Sequence, residues 1–190
     1  IFPLMRRRHL FSGATNFALF DFMTPDGWVD ENVFAYTNRA GTECAIIMYN
    51  NAYNTTRGTI HTSTAINIAD GSQPSLIRRT LADALGLNAG ENSFYAFRDY
   101  QSGLEYLRSG RQLADQGLFA ELYAYQYHAF LDFRHIYDPD GSWRELDRRL
   151  GVCGPGCSES STAQRSSHRH LGISPPRPGG PAGWPRRRIP

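Results

Sequence analysis

The sequence from Phe119 to Tyr137, FAELYAYQYHAFLDFRHIY, carries the strongest β-strand signal in the chain. Aromatic and branched apolar residues are enriched in strands because they pack well on a pleated surface. At about 3.3 Å per residue, this stretch is too long for one strand of ordinary length. The pattern therefore predicts a strand that bends or bulges once, near residues 126–128.

Shorter strand-like segments precede this stretch. Residues 32–38 and 43–50 are rich in β-branched and aromatic side chains and flank a short Gly-containing loop, which predicts a β-hairpin. Further strands are expected at residues 59–66 and 94–99. The connections are of hairpin length and lack a crossover helix of about a dozen residues, so the strands are predicted to be antiparallel.

Four short helices are expected around these strands. Residues 4–11 form the end of a helix that stops at Ser12-Gly13, residues 82–88 form one helical turn, and residues 108–117 form a surface helix. Residues 142–150 form a closing helix with Ser142 as its N-cap. The sequence thus predicts a mainly β protein, an antiparallel β-sandwich-like domain with a few short helices.

Length and composition limit the chain to one domain of ordinary size: 190 residues, 41% hydrophobic, net charge +2. Residues 1–150 contain 14 Arg against 17 Asp and Glu, whereas residues 151–190 contain 6 Arg against one Glu. Neither part has the one-sided charge of a nucleic-acid-binding protein. No apolar run reaches the roughly 18 residues of a membrane span. We therefore expect neither nucleic-acid nor membrane binding, and a cytoplasmic location is favoured over others.

The last forty residues differ in composition from the rest of the chain. Ser, Gly, Pro and Arg dominate residues 151–190, and such a segment buries too little apolar surface to offset the entropy of ordering. We expect disorder there. The segment is either a natural tail or an off-frame product of a GC-rich gene, an origin that the complete absence of Lys also fits.

No catalytic or metal-binding motif stands out. Cys44, Cys153 and Cys157 lack the paired spacing of a zinc site, and no metal or cofactor is expected. The carboxylate pairs are Asp30-Glu31 and Asp138/Asp140. Adjacent strand residues point to opposite faces and turn aspartates bond to local backbone, so neither pair is predicted to be catalytic.

Aromatic residues are the more informative chemistry. Most tyrosines lie on predicted strands, where packing into the core is the expected role. Trp28 and Tyr53 lie in predicted loops and are the expected exposed platforms, each with a flat apolar face on which a sugar ring can stack.

Several segments together resemble a known family: FPLMRRR at residues 2–8, FALFDF at 17–22, GWVDENVFAYTNR at 27–39, YNN at 49–51, TRG at 56–58 and YHAFLDF at 127–133. Over residues 1–150 the chain resembles the C-terminal end of bacterial α-amylase-family glycoside hydrolases. The resemblance implies that residues 1–15 contain the last helix of a (β/α)₈ catalytic barrel and that residues 16–150 are the C-terminal β domain. The family's catalytic signatures have no counterpart here, so no catalytic residue is carried over.

The leading hypothesis is therefore a C-terminal fragment of an α-amylase-type glycosidase that acts on α-glucans when intact and is silent alone. Its partners would be the missing catalytic barrel and, through the intact enzyme, an α-glucan or maltooligosaccharide. One alternative is a stand-alone carbohydrate-binding β-sandwich that uses Trp28 and Tyr53, and the other is a structural β domain without a ligand.

These hypotheses predict different surfaces. A fragment should leave apolar side chains uncovered on its N-terminal helix and first strand, at Leu4, Met5, Leu10, Phe11, Phe17 and Leu19. A stand-alone binding module should present an exposed, coplanar aromatic pair. Affinity of the isolated chain for maltooligosaccharides is predicted to be weak or absent, and any affinity should fall on Trp28→Ala.

Overall fold

The predicted hairpin lies inside the largest sheet of the protein. The structure, a computed structural model, describes residues 5–67 and 75–150, so the predictions for Leu4 and for residues 151–190 lie outside it. The described elements are α1 (Arg8–Phe11), β1 (Ala18–Phe20), β2 (Val33–Ala40), β3 (Glu43–Asn50), β4 (Thr56–Ile60), β5 (Ile66–Asn67), β6 (Leu76–Ile77), α2 (Leu81–Leu85), β7 (Ser93–Asp99), β8 (Glu105–Ser109), α3 (Gly110–Asp115), β9 (Leu118–Leu122), β10 (Tyr127–Tyr137) and α4 (Ser142–Leu150).

Six of the strands form one antiparallel sheet in the order β1-β2-β3-β10-β7-β8. Strands β4 and β9 form a separate antiparallel pair, and β5 and β6 form another. The prediction of a mainly β, antiparallel protein is therefore confirmed. Strand β10 is central because it pairs with β3 on one side and with β7 on the other.

The core lies between the six-stranded sheet and a second layer made of β4, β9, α2 and α3. Alternate residues of the sheet point into this core. The fully buried side chains from the sheet include Ile46, Met48 and Phe97. The second layer contributes Ile60, Leu81, Leu85, Leu113, Leu118 and Leu122.

The long segment that suggested a bent strand is broken more completely, and earlier, than predicted. Strand β9 ends at Leu122 and β10 begins at Tyr127, so the predicted bend at residues 126–128 is instead a turn over residues 123–126. The two halves belong to different layers, since β9 pairs with β4 and β10 pairs with β3. A bulge follows in β10, where Asp132 has a φ of 57°.

Several predicted boundaries also shift. The strand expected at residues 59–66 is β4, which covers Thr56–Ile60 and pairs with β9. The helix expected at residues 108–117 starts later, because Ser109 ends β8 and its hydroxyl accepts a hydrogen bond from the Gln112 N–H. The helical turn expected at residues 82–88 is α2, which covers Leu81–Leu85 and ends at Gly86, with a φ of 70°.

The predicted N-cap of α4 is wrong. Ser142 is already helical, and the buried Asp138 carboxylate accepts hydrogen bonds from the N–H groups of Trp143 and Arg144, at 3.2 and 3.0 Å. An Asp at the helix start satisfies N–H groups that have no partner within the helix.

The N-terminal helix packs on this domain more closely than expected. Leu10 is 1% exposed and contacts Ala45, Ala129 and Leu131, so the expectation of an uncovered Leu10 is wrong. Phe11 is partly covered by the same cluster, whereas Met5, Phe17 and Leu19 are exposed as predicted. Side chains of a strand alternate between the two faces of the sheet, and this alternation places the small side chains of Ala45 and Ala129 on the face that α1 contacts.

Leu10→Ala is expected to lower the free energy of unfolding by about 2–5 kcal/mol, because it removes a large side chain from a packed site. Met5→Ala, at an exposed position of the same segment, is the matched control and should change stability by less than about 0.5 kcal/mol. Urea unfolding measures both variants. A Leu10 variant as stable as the control would show that α1 does not belong to the core of this domain.

Candidate functional site

The two aromatic residues singled out in the sequence are both exposed. Trp28 is 75% exposed and Tyr53 is 84% exposed. Trp28 sits on a tight turn in which its carbonyl accepts a hydrogen bond from the Thr24 hydroxyl at 3.0 Å. Within residues 5–67 and 75–150, no ring contact joins Trp28 to Tyr53.

Tyr53 instead contacts a tyrosine that the sequence assigned to packing on a strand. The rings of Tyr53 and Tyr125 have centroids 6.4 Å apart and are inclined at 66°, an edge-on arrangement. Tyr123 and Tyr125 are 59% and 56% exposed. We call Tyr53, Tyr123 and Tyr125 the tyrosine cluster.

A single buried amide joins the two loops that carry the cluster. Asn50 is fully buried, and its Nδ2 donates hydrogen bonds to the carbonyls of Asn54 at 2.7 Å and Tyr123 at 3.0 Å. Its Oδ1 accepts from the Ala52 N–H at 3.0 Å. Because an unsatisfied buried amide is costly, these bonds hold both loops in one arrangement.

The backbone at Tyr125 is held in an unfavourable conformation. Its φ of 54° lies in the left-handed region, which non-glycine residues seldom adopt. Hydrogen bonds surround it: Tyr125 N–H donates to the Ala52 carbonyl, and Tyr123 N–H donates to the Gln126 side chain. Strain of this kind persists where neighbouring contacts determine it, and it concentrates at functional sites.

The loops of the cluster carry no formal charge. Residues 51–56 read NAYNTT and residues 123–127 read YAYQY, without Asp, Glu or Arg. Charged residues make up 20% of the whole chain, so a run of neutral polar and aromatic residues at one end of the sheet suits a neutral ligand.

A second exposed feature is the side of the six-stranded sheet that faces away from the core, which we call the outer face. Two rows of directly paired residues cross it: Leu19, Tyr36 and Ile47 in one, and Phe34, Tyr49 and Tyr127 in the other. Leu19 is 42% exposed and Phe34 is 51% exposed. Ile47 and Tyr127 pack against the cluster that holds Leu10 of α1, whereas Leu19 and Phe34 leave apolar surface exposed on this face.

A cleft of about 750 Å³ lies where β10 separates from β3. Two ion pairs lie in its lining: Arg7 Nη2 is 2.6 Å from Asp132 Oδ1, and Arg134 Nη2 is 3.0 Å from Glu105 Oε1. The Tyr100 hydroxyl also donates to Asp132, and this bond raises the pKa of the phenol. The network ties α1 to the bulge in β10.

Asp99 and His128 form a buried pair next to strand β9. His128 Nδ1 donates to Asp99 Oδ2 at 2.9 Å, and Nε2 donates to the Glu121 carbonyl at 3.1 Å. Two acceptors call for two ring N–H groups, which only the imidazolium has. Burial lowers the pKa of His128, but Asp99 outweighs that effect and the pKa is raised overall.

Three of the four carboxylates considered from the sequence, Asp30, Asp138 and Asp140, accept local hydrogen bonds. Asp30 Oδ1 accepts from the Asn32 backbone and side-chain N–H groups, at 3.0 and 3.1 Å. Asp138 caps α4, and Asp140 Oδ1 accepts from the Ser142 N–H at 3.1 Å. These bonds stabilise turns and a helix start, as aspartates in turns commonly do.

Comparison with known proteins adds no assignment, since a scan against protein-family models finds no matching family and a search of curated proteins finds no match. In the part of the chain that the structure describes, no helix is long and apolar enough to cross a membrane. Within those same residues, no three His, Cys, Asp or Glu side chains are grouped so as to hold a metal ion.

Proposed function

We propose that this chain is an accessory β domain of an α-amylase-type glycosidase that acts on α-glucans, with the catalytic residues in another domain. In this account residues 16–150 are the β-sandwich-like C-terminal domain, and α1 is the end of the last helix of a catalytic (β/α)₈ barrel. The domain alone is catalytically silent and docks on the barrel through its outer face.

The uncovered apolar patch on the outer face is the observation that carries this proposal. Leu19, Phe34 and their paired neighbours cross three strands, and a contiguous apolar surface on a folded domain marks an interaction site. Helix α1 lies on the same face, fixed by Leu10 and by the Arg7–Asp132 ion pair. A chain that enters along this face is well placed to bring a preceding domain against it.

The DNA upstream of the Ile1 codon tests the proposal. We expect the reading frame to continue into a (β/α)₈ barrel that holds two carboxyl groups about 5–5.5 Å apart, the separation that retaining glycosidases use. An open reading frame that contains no barrel would contradict the proposal.

The tyrosine cluster favours a second candidate, a stand-alone carbohydrate-binding domain. Exposed Tyr53 and Tyr125 offer apolar faces with polar edges in loops without charge. This candidate leaves the outer face without a role, which is why we place it second. A reading frame without a barrel would favour it.

The outer face should make the isolated chain self-associate. Replacing Leu19 and Phe34 together with Ser is expected to reduce the weight-average mass at high concentration, because exposed apolar patches drive association. Val29→Ser with Phe119→Ser is the matched control, since these side chains are 43% and 40% exposed outside the outer face. Sedimentation equilibrium measures the difference. Equal association of both variants would show that the outer face does not drive self-association.

A further inference from the structure

We propose that the tyrosine cluster is a saccharide-binding site for a neutral glucan. The assignment to an α-linked glucan, in particular, rests on the proposed function. Tyr53 and Tyr125 supply the stacking faces, and Asn50 fixes the loops without touching the ligand.

The chemistry of the loops selects a neutral, hydroxyl-rich ligand. Aromatic faces attract the apolar C–H faces of a sugar ring, and side-chain amides both donate to and accept from hydroxyl groups. Asn51, Asn54 and Gln126 place such amides in the same two loops. An anionic or cationic ligand would find no formal opposite charge in residues 51–56 or 123–127.

The inclination of the rings favours a curved chain over a flat one. β-1,4-linked glucans are flat ribbons, which pack best on coplanar rings. α-1,4-linked glucans curve, so that successive sugar rings face different directions. Tyr53 and Tyr125 are inclined at 66°, so they do not form the coplanar platform that suits a flat ribbon.

The site is organised before any ligand binds. Tyrosine has few rotatable bonds, so ordering it costs little entropy. Two hydrogen bonds maintain the strained φ of Tyr125: its own N–H donates to the Ala52 carbonyl, and the Tyr123 N–H donates to the Gln126 side-chain oxygen. Glycine adopts this conformation without strain, so a tyrosine is not needed at position 125 merely to form the turn.

The test is affinity electrophoresis of the full chain in native gels that contain amylopectin, which detects weak binding. We expect wild type to be retarded, with a dissociation constant on the order of 1 mM in glucan sites. Tyr125→Gly is expected to weaken retardation at least about fivefold while leaving the thermal midpoint unchanged or higher, because strain is relieved. Tyr137→Ala, which removes a 65% exposed tyrosine from the far end of β10, is the control and should bind as wild type does.

Three results would overturn the inference: wild type that is not retarded by amylopectin or by a β-glucan, Tyr125→Gly that binds normally, or loss of binding on Trp28→Ala but not on Tyr125→Gly. Retardation by a β-glucan gel alone, lost in Tyr125→Gly, would support the saccharide site and contradict the α-glucan assignment. The DNA test of the proposed function is independent of all these outcomes.

Discussion

Asp99→Ala is expected to lower the free energy of unfolding by about 3–5 kcal/mol, because it leaves the charge of His128 buried without its partner. The Asp99 side chain is fully buried and accepts from His128 Nδ1, the Ser102 hydroxyl at 2.6 Å and the Ala129 N–H at 3.1 Å. These bonds join β7, β10 and the turn after β7. Urea unfolding at pH 6 measures the change.

Asp115→Ala provides the matched control for Asp99. Asp115 is exposed and pairs with Arg111 across one helical turn at 3.4 Å. Exposed pairs contribute about 0–1 kcal/mol, so this variant should remain close to wild type. Equal stability of the two variants would show that the buried pair does not hold the strands together.

The same pair sets an expected pH dependence. Because the folded pKa of His128 is raised, its contribution is complete below the unfolded value of about 6.5 and is lost as the pH rises through the folded pKa. Burial raises the pKa of Asp99, but its hydrogen bonds prevail and hold the pKa at about 2. Its contribution is complete above about pH 3.9 and is lost as the pH falls through about 2.

The thermal midpoint of wild type should therefore be highest between about pH 4 and pH 6.5 and decline on the alkaline side. In His128→Gln the alkaline decline due to this pair should be absent, and the midpoint at pH 6 should be several degrees lower. Scanning calorimetry across this range measures both variants. A parallel decline in the two would assign the pH dependence to other groups.

Gly117→Ala is expected to cost more than about 4 kcal/mol, enough to prevent stable folding of many domains. Gly117 has a φ of 75°, and a Cβ at this position would lie 1.9 Å from the Ile60 carbonyl oxygen. The close approach is required because β9, which follows Gly117, pairs with β4, which ends at Ile60. Alanine would force the two strands apart at the edge of the core.

Gly141→Ala is the control that separates the cost of a positive φ from the cost of a steric clash. Gly141 has a similar φ of 81°, but a Cβ there meets nothing within 4 Å. This control should cost only the conformational penalty of about 1–2 kcal/mol. Thermal unfolding and soluble yield measure both variants, and similar losses would mean that the contact with Ile60 does not constrain the fold.

Local patterns were sufficient to predict much of the fold. The hairpin of β2 and β3 follows from neighbouring strand-like runs and a short loop, and the end of α2 follows from Gly86. The break between β9 and β10 does not follow from local pattern, because the alternation of tyrosines continues through it. It depends on Asn50, which is 73 residues from Tyr123 and bonds to its carbonyl.

The candidate site was predictable only where local sequence pattern determines it. Tyr53 lies in a loop by composition and was identified as exposed, whereas Tyr125 lies in a run that predicts a strand. Likewise, Leu10 was expected to be uncovered because nothing in the sequence indicates that Ala45, Ala129 and Leu131 meet beneath it. These contacts join residues far apart in the chain, so only the assembled sheet reveals them.

Hydrolysis of soluble starch by the product of the complete reading frame tests the central claim most directly. We predict release of reducing sugars by wild type, a large loss for the Leu19→Glu and Phe34→Glu double variant, and retention in the Val29→Glu and Phe119→Glu control. Glutamate on the outer face would place unpaired charge in the proposed docking interface, and such a charge is costly to bury. A complete product without activity on starch, or an outer-face variant as active as the control, would contradict the account.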